Sequence, residues 1–90
     1  MKIYWDGKSK NIIGKKVRSL RKEKGWTQAR LAELLQLEGH EFTDLTVLRI
    51  ESGKRFVPDY ELKALAKTFG VSYEELLEQD ESDEENTIQR

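Results

Sequence analysis

Two short segments hold the residues whose order and spacing suggest the most specific chemistry in this chain. The first, residues 25–32, has the sequence GWTQARLA, the pattern of a helix stop that runs directly into a helix start. The second, residues 47–55, has the sequence VLRIESGKR, a short helix that ends at a glycine and is followed by two cations. Two short helices fixed by a turn, with basic residues beside them, form the arrangement that places a helix in the major groove of DNA.

Other chemistries find little support in the sequence. The chain has no cysteine and one histidine, His40, so we expect neither a thiol nucleophile nor a metal site. It has no phosphate-binding glycine loop and no Ser/His/Asp set at a recognisable spacing, and a chain this small leaves little room for a substrate pocket. The sequence therefore predicts that the protein is not an enzyme and that it uses no cofactor and no small-molecule substrate.

The elements that must position these residues are five short helices. Each has a start signal, and all but the last have a stop glycine: Asn11 and Gly25 for a first helix from about Ile12 to Lys24, Thr27 and Gly39 for a second, Thr43 or Asp44 and Gly53 for a third, Pro58-Asp59 and Gly70 for a fourth, and Ser72 for a fifth. Apolar residues recur at helical spacing, and no alternating stretch has the length of a strand. The sequence predicts an all-α fold.

Charge is unevenly distributed along the chain. Residues 1–30 carry ten lysines or arginines against two acids, whereas residues 58–90 carry three against ten. A basic end suits a polyanion partner, although two solvated charge runs would give the same pattern. We divide the chain into an N-terminal arm (1–11), one domain (12–79) and an acidic flexible tail (80–90). No apolar run approaches the length of a membrane span, so we expect a cytoplasmic protein.

Residues 12–77 resemble the phage-repressor-type (Xre/Cro-like) helix-turn-helix transcriptional regulators. The matching pieces share their order and spacing with that family: residues 13–25, Thr27-Gln28, Leu31-Ala32, residues 47–55, residues 62–66, residues 69–72 and residues 75–77. The resemblance implies a five-helix, lambda-repressor-like DNA-binding domain. One departure is the connection from Gln36 to His40, which is longer than the family's usual tight turn and is similar to that of a subgroup with an extended turn.

The resemblance also implies roles for particular side chains. It places phosphate contacts at the start of the second helix and after the third helix, at Thr27, Gln28, Lys54 and Arg55. The alternative for Lys54 and Arg55 is a solvated loop that complements the helix end. Arg21 and Glu51 match positions that form a buried ion pair in the family, which would fix the angle of the third helix.

The third helix carries an unusual set of side chains for base recognition. At about 100° per residue, Val47 and Ile50 define its core face. The DNA-contacting candidates lie on the opposite face and its flanks: Thr43, Asp44, Leu45, Thr46, Leu48 and Arg49, with Ser52 beside them. Arginine can bind guanine, leucine can contact a thymine methyl group, and aspartate can accept from cytosine N4. Alternatively, the two leucines are covered by the long turn or face a protein partner.

We therefore predict a sequence-specific DNA-binding transcriptional regulator, a repressor that binds double-stranded DNA as a homodimer. The residues around Phe56-Val57 and the fifth helix are candidates for the contact between subunits. The alternative is a protein-interaction module, an antitoxin-like adaptor that holds a partner through Leu45 and Leu48 or through its acidic C-terminal third.

Overall fold

A computed structural model of the chain describes residues 9–78, and these residues form five α-helices and no strand. The helices are α1 (Gly14–Glu23), α2 (Gln28–Leu37), α3 (Asp44–Glu51), α4 (Asp59–Phe69) and α5 (Tyr73–Leu77). The predicted all-α fold is confirmed. The predicted acidic tail and most of the predicted N-terminal arm lie outside the described residues. No helix within residues 9–78 is long and apolar enough to cross a membrane.

Side-chain caps set most helix starts. Thr27 Oγ1 accepts a hydrogen bond from the Arg30 backbone N–H at 3.0 Å at the start of α2. Of Thr43 and Asp44, the residue that caps α3 is Thr43. Its hydroxyl oxygen accepts from the Thr46 backbone N–H, and the Thr46 hydroxyl oxygen accepts from the Thr43 backbone N–H, each at 3.2 Å. This reciprocal pair satisfies two backbone N–H groups that the helix cannot satisfy itself. The start of α3 is therefore fixed by local chemistry.

The first helix begins later than predicted. Its first residue is Gly14 rather than Ile12, and its N-cap residue is Ile13, whose side chain makes no capping hydrogen bond. Asn11 Oδ1 accepts from the Gly14 backbone N–H at 2.8 Å and from that of Ile13 at 3.2 Å. Asn11 therefore satisfies backbone N–H groups at the start of α1, but the N-cap position is Ile13 and the helix begins two residues later than predicted.

One core joins all five helices. The buried apolar side chains come from every helix and from the turn between α2 and α3, and they include Val17, Leu31, Leu35, Phe42, Val47, Ile50, Leu65, Phe69 and Leu76. In the long turn, Phe42 is only 1 % exposed, and its carbonyl accepts a hydrogen bond from Gln36 Nε2. Because Phe42 is anchored in this way, the extended turn holds the start of α3 against the core.

The chain before α1 is tied to the end of α3. Asn11 Nδ2 donates to the Ile50 carbonyl at 3.1 Å and to the Arg55 carbonyl at 2.8 Å. The Lys10 backbone N–H donates to the Gly53 carbonyl at 2.7 Å. These hydrogen bonds join residues about forty positions apart in sequence and satisfy carbonyl groups at the C-terminal end of α3.

Gly14 allows α1 to approach this same end of α3. A Cβ atom at Gly14 would lie 2.5 Å from the Ile50 carbonyl oxygen and 2.9 Å from that of Glu51. Both atoms belong to backbone, so no side-chain rotation could relieve the clash. The contact between α1 and α3 therefore requires glycine at this position.

We predict that Gly14→Ala lowers the free energy of unfolding by about 1–3 kcal/mol, the typical cost of overpacking. An alanine at an unhindered helix position would instead stabilise the helix, by up to about 1 kcal/mol relative to glycine. Urea unfolding followed by circular dichroism measures the difference. Ser19→Ala, at an exposed position of α1, is the control and should not destabilise. Stabilisation by Gly14→Ala would contradict the close approach of α1 and α3.

Candidate nucleic-acid interface

Helix α3 has one buried face and one face open to solvent. Val47 and Ile50 are each 1 % exposed and fix the inner face in the core. On the outer face, Leu45 is 47 % exposed and Leu48 is 46 % exposed, so the long turn leaves about half of each side chain uncovered. Arg49 is exposed beside them and makes no ion pair with any described residue. This face offers one cation and two apolar side chains to a partner.

The polar side chains at the start of α3 make hydrogen bonds within that end of the helix. The Asp44 carboxylate accepts from the Leu45 backbone N–H at 2.8 Å, and the Thr43 and Thr46 hydroxyl groups hold the capping interaction. A carboxylate at this end of a helix opposes the approach of a second anion. The first turn of α2, by contrast, contains no acidic residue, and Thr27 there is exposed. An anion is therefore better accommodated at the start of α2 than at the start of α3.

A buried ion pair connects α3 to the other two helices of this region. Arg21 Nε lies 2.6 Å from Glu51 Oε2, and Arg21 Nη2 donates to Glu51 Oε1 at 3.1 Å. The two side chains are only 11 % and 5 % exposed. Arg21 Nη1 also donates to the Trp26 carbonyl at 2.8 Å, so the guanidinium holds the turn between α1 and α2 as well.

Gln28 belongs to the same network. Its Nε2 atom donates to Glu51 Oε1 at 3.1 Å, and the side chain is half-buried. The sequence suggested only a phosphate contact for this residue. The hydrogen bond to Glu51 was missed, because residues 23 positions apart give no local signal that they meet. Through Glu51, the start of α2 and the end of α3 are held in one fixed geometry.

Lys54 and Arg55, which looked equivalent in the sequence, have different environments. Arg55 forms a two-pronged ion pair with Glu61 of α4, at 2.6 and 2.9 Å, and its guanidinium lies 5.6 Å from the centre of the Phe42 ring. The hydrogen bond with Glu61 raises the pKa of Arg55 above its usual value. Lys54 is exposed and has no ion-pair partner among the described residues. Arg55 therefore holds the loop after α3 in place, and Lys54 is the cation that this loop leaves open.

No metal centre is formed by the described part of the chain. Within residues 9–78, no three histidine or acidic side chains come close enough to hold an ion together.

Comparison with known proteins decides the family. The family model of the helix-turn-helix domain matches residues 14–81, which is most of the chain. The chain belongs to the helix-turn-helix family. This confirms the resemblance to phage-repressor-type (Xre/Cro-like) regulators and makes the protein a DNA-binding transcription regulator.

A solved structure supports the same assignment. The fold is similar to that of the restriction-modification controller protein C.AhdI from Aeromonas hydrophila, with a TM-score of 0.62 and 30 % sequence identity. The match covers 71 % of this chain and 86 % of that protein. No curated protein matches the chain.

We predict that Glu51→Ala lowers the free energy of unfolding by about 3–5 kcal/mol, because it leaves the Arg21 guanidinium buried without its counter-charge. The double variant Arg21→Leu/Glu51→Leu should lose less, since neither charge is then left alone. Chemical denaturation measures both values.

Glu33→Ala is the matched control. Glu33 pairs with Arg30 at 2.8 Å, but both side chains are more than half exposed, so this loss should stay below about 1 kcal/mol. A Glu51→Ala variant no less stable than Glu33→Ala would mean that the buried pair does not stabilise the fold.

Proposed function

We propose that this protein is a transcriptional repressor that inserts α3 into the major groove of double-stranded DNA. The proposal is supported by one observation: one face of α3 is buried in the core and the opposite face is exposed to solvent. Its inner face is fixed by Val47 and Ile50. Its outer face presents to solvent Leu45, Leu48 and Arg49, an arginine with no ion-pair partner within residues 9–78. Recognition in the major groove requires a helix that is packed against the core on one face and exposed to solvent on the other.

The outer face of α3 would recognise bases of particular kinds. An arginine can donate two hydrogen bonds to O6 and N7 of guanine, which assigns guanine recognition to Arg49. Leu45 and Leu48 would contact the methyl groups of thymines, and Asp44 would accept from cytosine N4. Thr43 and Thr46, whose hydroxyl groups cap α3, would lie at the groove edge. We therefore expect a half-site in which a guanine lies close to thymines.

Phosphate groups would be held on both sides of α3. At the start of α2, the free backbone N–H groups and the exposed Thr27 would bind one phosphate, and Gln28 would orient that end through its bond to Glu51. After α3, Lys54 would neutralise another phosphate. Arg55, paired with Glu61, would keep Lys54 in position. The part of its charge that Glu61 does not neutralise would add to the attraction for phosphate.

Two copies of the chain would occupy one operator. A recognition helix of eight residues contacts few base pairs, so high affinity requires a second half-site about one turn of DNA away. Phe56 and Leu77 are apolar and more than a third exposed, and they belong to the two segments that we predicted from the sequence as candidates for the contact between subunits. A pair of domains on promoter DNA would exclude polymerase, which is the basis for proposing repression. The similarity to a restriction-modification controller is in keeping with a regulatory role.

The exposed leucines favour a second candidate function, a protein-binding adaptor on the same fold. Leu45 and Leu48 would then form the contact with a protein partner. Salt dependence separates the two functions, because each phosphate neutralised contributes about −0.9 to the slope of log affinity against log salt. An apolar protein contact gives a much smaller slope.

We predict that the protein selects a common duplex sequence from random DNA, and that its affinity for this duplex falls steeply with salt. Arg49→Ala should cost about 1–3 kcal/mol and relax the preference at one guanine. Fluorescence anisotropy on the selected duplex and on a guanine-substituted duplex measures both effects. In a reporter assay, the same site placed across a promoter should lower transcription when the protein is present.

The variant Leu45→Ala further distinguishes the two candidate functions, DNA binding and protein binding. If α3 binds DNA, this variant should change the preference for thymine at one position and keep the salt slope. Failure to enrich any DNA sequence, with a protein partner lost in Leu45→Ala, would favour the adaptor instead.

We predict that two chains bind one palindromic duplex and that Leu77→Ser weakens this two-chain complex. Sedimentation of the complex gives its stoichiometry, and gel shifts give its cooperativity. Leu37→Ser is the matched control, because Leu37 is 78 % exposed at the end of α2 and lies outside the proposed contact. One chain per duplex, or equal effects of the two substitutions, would contradict this mode of dimerisation.

A further inference from the structure

A hollow opens between α1, the start of α2 and α3, on the side of the buried ion pair. Its volume is about 240 Å³, and its walls are formed by Arg18, Arg21, Gln28, Leu48, Glu51 and Ser52. Two of these residues, Gln28 and Leu48, also belong to the surfaces that would contact DNA. The hollow therefore lies beside the start of α2 and the outer face of α3.

Most polar groups around the hollow already have partners. Glu51 is neutralised by Arg21 and receives a further hydrogen bond from Gln28. Ser52 Oγ donates to the Leu48 carbonyl at 2.9 Å. Arg21, Gln28 and Glu51 are thus bonded to one another, and Ser52 is bonded to backbone, so these four side chains leave little charge to attract an outside group.

Arg18 differs from its neighbours in the hollow. It is exposed, and its side chain makes no ion pair or hydrogen bond with any described residue. It lies on the face of α1 that packs against α3, four residues after Gly14 and three before Arg21. Arg18 thus contributes to the wall of the hollow a cation with no ion-pair partner among residues 9–78, whereas Glu51 in the same wall is already paired with Arg21.

The chemistry of such a group selects its ligand. A guanidinium presents its donors in a planar fork that matches two oxygen atoms of a phosphate. A duplex lying along α3 brings its phosphates to the flanks of that helix, which is where the hollow opens. We propose that Arg18 binds a backbone phosphate of the duplex, so that the DNA-contacting surface extends onto α1. This inference rests on the proposed function.

The test compares two cations of α1 that differ in position. Arg18→Ala removes the side chain at the hollow, and Lys22→Ala removes an exposed, unpaired cation one turn further along that does not line it. Binding of each purified variant to the selected duplex and to a scrambled duplex is measured by anisotropy over a series of salt concentrations. Circular dichroism checks that both variants are folded.

We expect Arg18→Ala to weaken binding to both duplexes roughly tenfold and to make the salt slope shallower by about 0.9, that is, by one phosphate. Arg18→Lys should recover the slope and part of the affinity, since lysine keeps the charge and loses the planar fork. Lys22→Ala should change the slope much less than Arg18→Ala.

Three results would overturn the assignment of Arg18 alone, with the proposed function intact. These are an unchanged slope for Arg18→Ala, equal effects of Arg18→Ala and Lys22→Ala, and a loss confined to the selected duplex, which would indicate base recognition. Absence of any DNA binding by the unmodified protein would overturn the proposed function, and this inference with it.

Discussion

The geometry of this domain depends on the buried ion pair between Arg21 and Glu51. The two side chains are almost fully removed from water, so their charges attract each other strongly and must remain together. The pair joins α1 to α3, and its further hydrogen bonds reach Trp26 and Gln28. One interaction thereby sets the orientation of α3 relative to the turn and to the start of α2.

Two other connections hold α3 and the loop after it. Asn11 binds the carbonyl groups of Ile50 and Arg55, which ties the chain before α1 to the C-terminal end of α3. Arg55 binds Glu61 and lies over the ring of Phe42, which joins the loop after α3 to α4 and to the long turn. A helix of eight residues is only marginally stable in isolation, so these contacts give α3 its rigidity.

The cations of the domain divide into two groups by their surroundings. Arg21 and Arg55 are paired with carboxylates and act on the protein itself. Arg18, Arg49 and Lys54 have no ion-pair partner among the described residues. Arg49 lies on α3, Lys54 follows it and Arg18 shares the hollow with Leu48, so the region proposed to meet DNA carries these three cations although the whole chain has a net charge of −1. Local charge, and not net charge, governs attraction to a duplex at this range.

The sequence by itself determined the five helices, the cap at Thr27 and the inward face of α3, and it narrowed the cap of α3 to Thr43 or Asp44. Helix caps and apolar periodicity are local signals, so they can be recognised without knowing the fold. The family resemblance indicated the Arg21 and Glu51 positions in addition. Only the tertiary structure decided that Arg55 pairs with Glu61, that Gln28 binds Glu51 and that Arg18 has no ion-pair partner among the described residues. The reason is that a charged side chain looks the same in sequence whether it meets a partner or water, and the packing of distant helices makes that choice.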